Sequence, residues 1–300
     1  MKNFSLISLI LFLLSGCFAA KEPVPVKKTR PAQTSETSLE LPATDSRTET
    51  AGLPAPVPEK ASPSKLPKLI NHPRPNIEVD LTPFIEASGC QLGKKGEELQ
   101  GCENLRAKMG CDKFMPPDPL WGAVTPAYPM VLCVILPDSR QYPNSPQLAS
   151  QLSQKFLEEI EKEGYFTWGQ GNKRRYTRYV ILRDGQFQLI NNMSELQKLF
   201  APIESPEEAL SYAMMATQFS AHYGQKINPS YRYYTEVIED SHVVATKQGF
   251  KILLYTHKTY GCGSHPASTL LVTLRLNGMI SYPSQRLAYA NPAEDNLCMD

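Results

Sequence analysis

The composition of the chain breaks near residue 75. From Lys21 to Pro75 it holds eleven of its 26 prolines, many Ser and Thr, and no Tyr or Trp. Such a stretch has too little apolar surface to offset the entropy of ordering it. Its prolines favour extended polyproline II, so it reads as a semi-stiff tether that holds the C-terminal region about 40 Å or more from any anchor, by random-coil scaling. Folding is left to residues 76–300, about 225 positions, enough for one domain with a proper core. The folded part is expected to begin near Ile77.

Ahead of the tether, Lys2 is followed by an apolar run from Phe4 to Leu14 that closes on Ser15, Gly16 and Cys17. The run is too short to span a bilayer as a stable helix, and it has the charged start and small-residue finish of a removable signal. Leu13, Leu14, Ser15, Gly16 and Cys17 together resemble the lipobox of bacterial lipoproteins. That resemblance is confined to the N-terminal leader. It implies that residues 1–16 are a signal peptide and that Cys17 becomes a lipidated N-terminus carrying acyl chains such as palmitate. More than one chain is then present, enough for stable anchoring without a transmembrane helix. In such lipoproteins an Asp after the cysteine favours the inner membrane; Phe18 stands there instead, which implies the outer membrane. An ordinary secretory signal cut after Ala19 or Ala20 is the alternative, and it too exports the chain.

Charge excludes one class of partner. Residues 18–75 carry nine Lys/Arg against six Asp/Glu, and residues 76–300 carry 21 against 24. Neither part is a polyelectrolyte, so nucleic acid is not an expected partner. Lys27, Lys28 and Arg30 make a small basic step that reads as solvated linker charge, with anionic headgroups as the alternative contact.

Within residues 76–300 the hydrophobic period changes along the chain. Residues 97–109 have a helical pattern, and Met130 to Leu136 is an apolar run that reads as a buried strand. Ser145 followed by Pro146 starts a helix whose apolar residues recur at four-residue spacing as far as Gly164. Ser194 to Gln197 fits a capping box for a short helix ended by Pro202. Ser205 to Glu208 fits a second, for a helix stopped by Gly224. Elsewhere the period is two. Asp184-Gly185 and Asn277-Gly278 sit between alternating runs and predict hairpins with type I′ turns. Residues 233–238, 242–246 and 250–260 add strands, so the C-terminal half reads as an antiparallel meander. The expected fold is α+β: an antiparallel β-sheet with helices packed on one face, stapled by disulfides.

With Cys17 set aside, six cysteines remain, and an even number in an exported chain argues for three disulfides. Proximity in sequence favours Cys90 with Cys102, Cys111 with Cys133, and Cys262 with Cys298. The first two pairs can exchange partners within one subregion; the third is the most constrained, because no other cysteine lies between Cys133 and Cys262. Their spacing matches no common zinc module.

Three constellations can carry chemistry. In the loop from Tyr260 to Pro266, a Cys262 thiolate with His265 as base would form a catalytic pair, with glycine N–H groups as an oxyanion site. A bridged Cys262 would remove that nucleophile. His242, His257 and His265 can approach one zinc or copper ion if the hairpin turn sits at Gln248-Gly249, which would place His257 diagonally beside His242. Solvent-facing strand histidines are the commoner reading. Lys173, Arg174, Arg175 and Arg178, interleaved with Trp168 and Tyr176, can bind glycans or anionic polymers through stacking and guanidinium forks; charge protecting a strand edge explains the same residues. There is no phosphate loop, dinucleotide fingerprint or nucleophile elbow, and no cofactor is expected.

These observations lead to a lipid-anchored protein of the cell envelope with a non-catalytic binding or structural domain. Its expected partners are membrane lipid through Cys17 and peptidoglycan, lipopolysaccharide or another envelope protein. The competing reading is a secreted hydrolase or metal-binding enzyme using the Cys262/His265 loop. A bridged Cys262 together with a basic aromatic groove would favour binding.

Overall fold

A computed structural model describes residues 66–94, 98–136, 158, 162–168, 175–258, 261–282 and 285–299. Its first half runs through β1 (Lys68–Ile70), α1 (Thr82–Ser88), β2 (Gln91–Leu92), β3 (Leu99–Gln100), α2 (Glu103–Met109), β4 (Lys113–Met115), β5 (Met130–Ile135), β6 (Phe166–Trp168), β7 (Arg175–Arg183) and β8 (Gln186–Ile190). Strands β2, β3, β4, β5, β7 and β6 lie side by side in that order, and β8 also pairs with β7. Two helices come next, α3 (Met193–Phe200) and α4 (Pro206–Thr217). The second half contains β9 (Arg232–Tyr233), β10 (Val237–Glu239), β11 (Val243–Thr246), β12 (Gly249–His257), β13 (Gly261–Cys262), β14 (Ala267–Arg275), β15 (Ile280–Ser281), β16 (Arg286–Ala290) and β17 (Cys298–Met299). Here the sheet order is β11-β12-β14-β16-β9, with β15 on β14. Both sheets are antiparallel and the fold is α+β.

Helix α4 is the centre of the molecule. All seven residues from Ala209 to Met215 are buried, a pattern that suits a helix covered on every side rather than one with a solvent face. One apolar cluster joins it to Met130, Tyr179 and Ile181 of the first sheet and to Phe250, Ile252, Leu254, Val272 and Leu274 of the second. Three of its buried hydroxyls are paired: Ser211 Oγ donates to Leu120 O (2.5 Å), Tyr179 Oη to Met215 O (2.6 Å) and Tyr212 Oη to Gly278 O (3.0 Å). The outer face of the first sheet packs on α1 and the disulfide region through Phe84, Leu99, Phe114 and Val180. The outer face of the second is covered only around Tyr255 and Ala288, by Ile238 with Leu69, Ile227 and Tyr233, while Lys251, Leu271, Thr273 and Arg275 stay exposed on it. At Gly249, where β12 meets β14, a Cβ would fall 2.1 Å from Leu274 O, so the close strand approach requires glycine.

The three expected disulfides are present: Cys90–Cys102, Cys111–Cys133 and Cys262–Cys298. The Asp184-Gly185 hairpin forms with both residues at positive φ (51° and 72°) as a type I′ turn demands. The Ser205 capping box forms as well, with Glu208 N donating to Ser205 Oγ and Glu208 Oε2 accepting from Ser205 N (both 3.1 Å).

Several expectations need correction. The fold begins about ten residues earlier than Ile77, because β1 pairs in parallel with β10, Leu69 opposite Ile238. Helix α3 is capped by Asn192, not Ser194: Asn192 Oδ1 accepts from Glu195 N (3.0 Å), so the helix starts at Met193. Helix α4 ends at Thr217, where Gln218 takes the left-handed conformation, well before Gly224. The Asn277-Gly278 hairpin uses a three-residue loop. Gly278 N donates to Arg275 O (2.9 Å) and Arg275 N to Met279 O (2.9 Å), and of that dipeptide only Gly278 has positive φ. Of the helical pattern over residues 97–109, Leu99 and Gln100 are strand and only Glu103–Met109 is helix. The helix expected after Ser145 lies, for the most part, outside the described residues.

Candidate functional site

A fully buried carboxylate organises the surface beyond α4. Asp240 accepts backbone N–H bonds from Gly224 (2.9 Å), Gln225 (3.2 Å) and His72 (3.2 Å), and its own N–H donates to Ile70 O (2.8 Å). Bonds from N–H groups to an ionised acceptor are the stronger kind, and here one side chain ties β1, β10 and the loop after α4 together. Ser241 completes the knot: its N–H donates to His222 O (2.8 Å), and His222 N donates to its Oγ (2.9 Å).

Beside this knot lies a cleft of about 500 Å³, within the range of small-molecule sites. Tyr223, Tyr231, Tyr233 and Tyr289 line it, with Arg74 and Lys226 as cations, Asp118 as an acid, and His222. Tyr231 stacks on Tyr289 with ring centroids 5.7 Å apart and an interplanar angle of 26°. Tyr233 lies 6.2 Å from the same ring. Burial pushes the Tyr223 phenol up to about 12, helped by the Asp240 charge and opposed by Arg74. Burial does the same for Tyr289, up to about 12. The hydroxyls therefore stay protonated at neutral pH. His222 stacks flat on Tyr255 (4.6 Å, 3°), and burial, then His257, hold its pKa below 6.5 against the pull of Asp240. It is an uncharged wall. The cleft offers flat aromatic faces, hydroxyl donors and two cations, which together suit sugar rings carrying acidic groups.

Next to Asp240, His72, Glu239 and His242 come together. His72 Nε2 is 2.9 Å, and His242 Nδ1 3.6 Å, from Glu239 Oε1, and the imidazoles stack 4.5 Å apart at 30°. Among the described residues these are the His, Cys, Asp or Glu side chains that form a group of three with donor atoms within 4.8 Å of one another.

The constellations expected from sequence fare differently. Cys262 is bonded to Cys298, so it has no thiol to ionise, and His265 is buried with Nε2 3.0 Å from Gly261 O. The alternative of a catalytic pair gives way to the disulfide that the spacing favoured, beside a packed ring. The trio His242, His257 and His265 is not assembled. The hairpin turn falls at Lys247-Gln248, with Thr246 opposite Gly249, so His242 faces Leu253 and His257 lies four residues further along β12. In the basic aromatic stretch, Lys173 and Arg174 lie outside the described residues, as do the side chains of Trp168 and Arg175. Tyr176 is buried, and so is Arg178, whose Nη2 donates to the α2 C-terminal carbonyls of Met109 (2.7 Å) and Gly110 (2.9 Å). β7 is interior to its sheet, flanked by β5 on one side and by β6 and β8 on the other, so neither edge protection nor ligand binding accounts for these two.

Sequence reasoning missed His72 and Arg74, which sit in the proline-rich stretch, and the tyrosines of the cleft. A signal for the cleft was present in the density of aromatic residues at Tyr231, Tyr233 and Tyr234. Comparison with protein-family models, curated proteins and solved structures finds no match.

Proposed function

We propose that the chain is a lipid-anchored cell-envelope protein, held through Cys17, whose folded region binds a glycan-bearing envelope component, peptidoglycan or lipopolysaccharide, in the tyrosine cleft. One observation carries this reading: stacked aromatic faces, Tyr231 on Tyr289, meet Arg74 and Lys226 in one cleft of about 500 Å³. Sugars present C–H faces to aromatic rings, and the acidic groups of both polymers complement the two cations.

The test is co-sedimentation of the purified protein with isolated sacculi and, in a separate arm, with lipopolysaccharide aggregates. Binding to one of them is expected, and Tyr231→Ala with Tyr289→Ala should weaken it about tenfold or more, at about 1 kcal/mol per aromatic contact. Failure to bind either polymer, or an unchanged affinity in a folded double variant, would discard the reading.

A further inference from the structure

We propose that His72, Glu239 and His242 form a binding site for a divalent transition-metal cation of the zinc type, and that the ion clamps the segment entering the fold to β10. This site does not depend on the reading of the cleft.

Two imidazoles and one carboxylate are the donor set of a zinc site that keeps a fourth position open. They suit transition metals better than calcium or magnesium, which take oxygen ligands. Donors placed tetrahedrally at zinc–ligand bond lengths lie about 3.3 Å apart. The observed separations from Glu239 Oε1, 2.9 Å to His72 Nε2 and 3.6 Å to His242 Nδ1, bracket that spacing. The stacked rings present both nitrogens to the same carboxylate.

Backing structure holds each donor. The β1–β10 register places Ile70 opposite Glu239 and so brings His72 alongside, with its N–H on the buried Asp240 carboxylate. His242 Nδ1 rests 3.1 Å from Asp240 O; coordination through Nδ1 gives up that contact, and the ring proton resides on Nε2 instead. Side-chain exposures of 33%, 30% and 21% leave an entry path for an ion. An adjoining cavity of about 210 Å³, lined by His72, His242 and Glu207, leaves room for a water or an incoming group as fourth ligand.

The experiment uses the purified protein without a polyhistidine tag, stripped with chelator and titrated with zinc by calorimetry and with cobalt(II) by visible absorption. One ion per chain, tetrahedral cobalt bands, and at least tenfold weaker binding in His72→Ala and Glu239→Gln are expected, with His257→Ala unchanged. Zinc should also slow tryptic cleavage after Lys68 in the wild type and not in Glu239→Gln. Glu239→Gln keeps the shape of the side chain, so it reports on the site even if His72→Ala unfolds. Absence of binding, or wild-type affinity in folded Glu239→Gln and His72→Ala, would overturn the proposal.

Discussion

His222 shows how one side chain couples the cleft to pH. It lies flat on Tyr255 with its pKa below 6.5, lowered first by burial and then by His257, and only partly restored by Asp240. Below pH 6.5 the unfolded chain takes up a proton at this position that the folded chain refuses until the pH falls further. Stability from this residue is therefore complete above that value and is lost as the pH falls through the window beneath it. In His222→Gln the fall in melting temperature between pH 7.5 and 5 should be shallower than in the wild type; equal slopes would show that His222 does not govern it. Arg178 teaches a different lesson at the same scale. Its setting between basic and aromatic neighbours suggests a ligand site, whereas its guanidinium closes the end of α2 from inside the sheet.

Among the elements, α4 tests which forces dominate. Its capping box is local and partly exposed, and Ser205→Ala should cost about 1 kcal/mol. Its apolar surface faces both sheets, and Leu210→Ala should cost about 2–5 kcal/mol because the surrounding structure cannot collapse onto the gap. Denaturant titration of both variants should keep that order, with a single transition in each; a larger loss in Ser205→Ala would mean that helix initiation outweighs packing here. The box was legible because its chemistry is written in four consecutive residues. The start of α3 was not: Asn192 and Ser194 are both good caps, and the choice is made by Asn192 Nδ2 donating to Glu163 O (2.9 Å), a contact 29 residues away. The strand pairings behind the hairpins were readable for the same reason as the box. The turn at Lys247-Gln248 was misplaced by one residue because strand register answers to the facing sheet.

For the whole molecule, the start of the fold was hidden in the sequence because β1 pairs with β10, across more than 160 residues of chain. A proline-rich composition predicts well what a segment cannot do alone and poorly what it does beside an existing strand edge. His72 and Arg74, which contribute to the two candidate sites, were lost with it. The proposed anchor is tested at this scale too. Cells given a fatty-acid analogue should label the wild type and not Cys17→Ser, and the variant should leave the membrane fraction. An unlabelled wild type starting at Lys21 would replace the lipid anchor with simple secretion.

From Ala209 to Met215 helix α4 has no outside, and that has a consequence for how such a chain changes over generations. Each substitution on its surface is read by two sheets built from opposite halves of the sequence, so a shift accepted by one must be answered in the other. The halves cannot be inherited separately. Recombination that replaces either one alone breaks an agreement held by seven consecutive residues, while the surface loops remain free to drift.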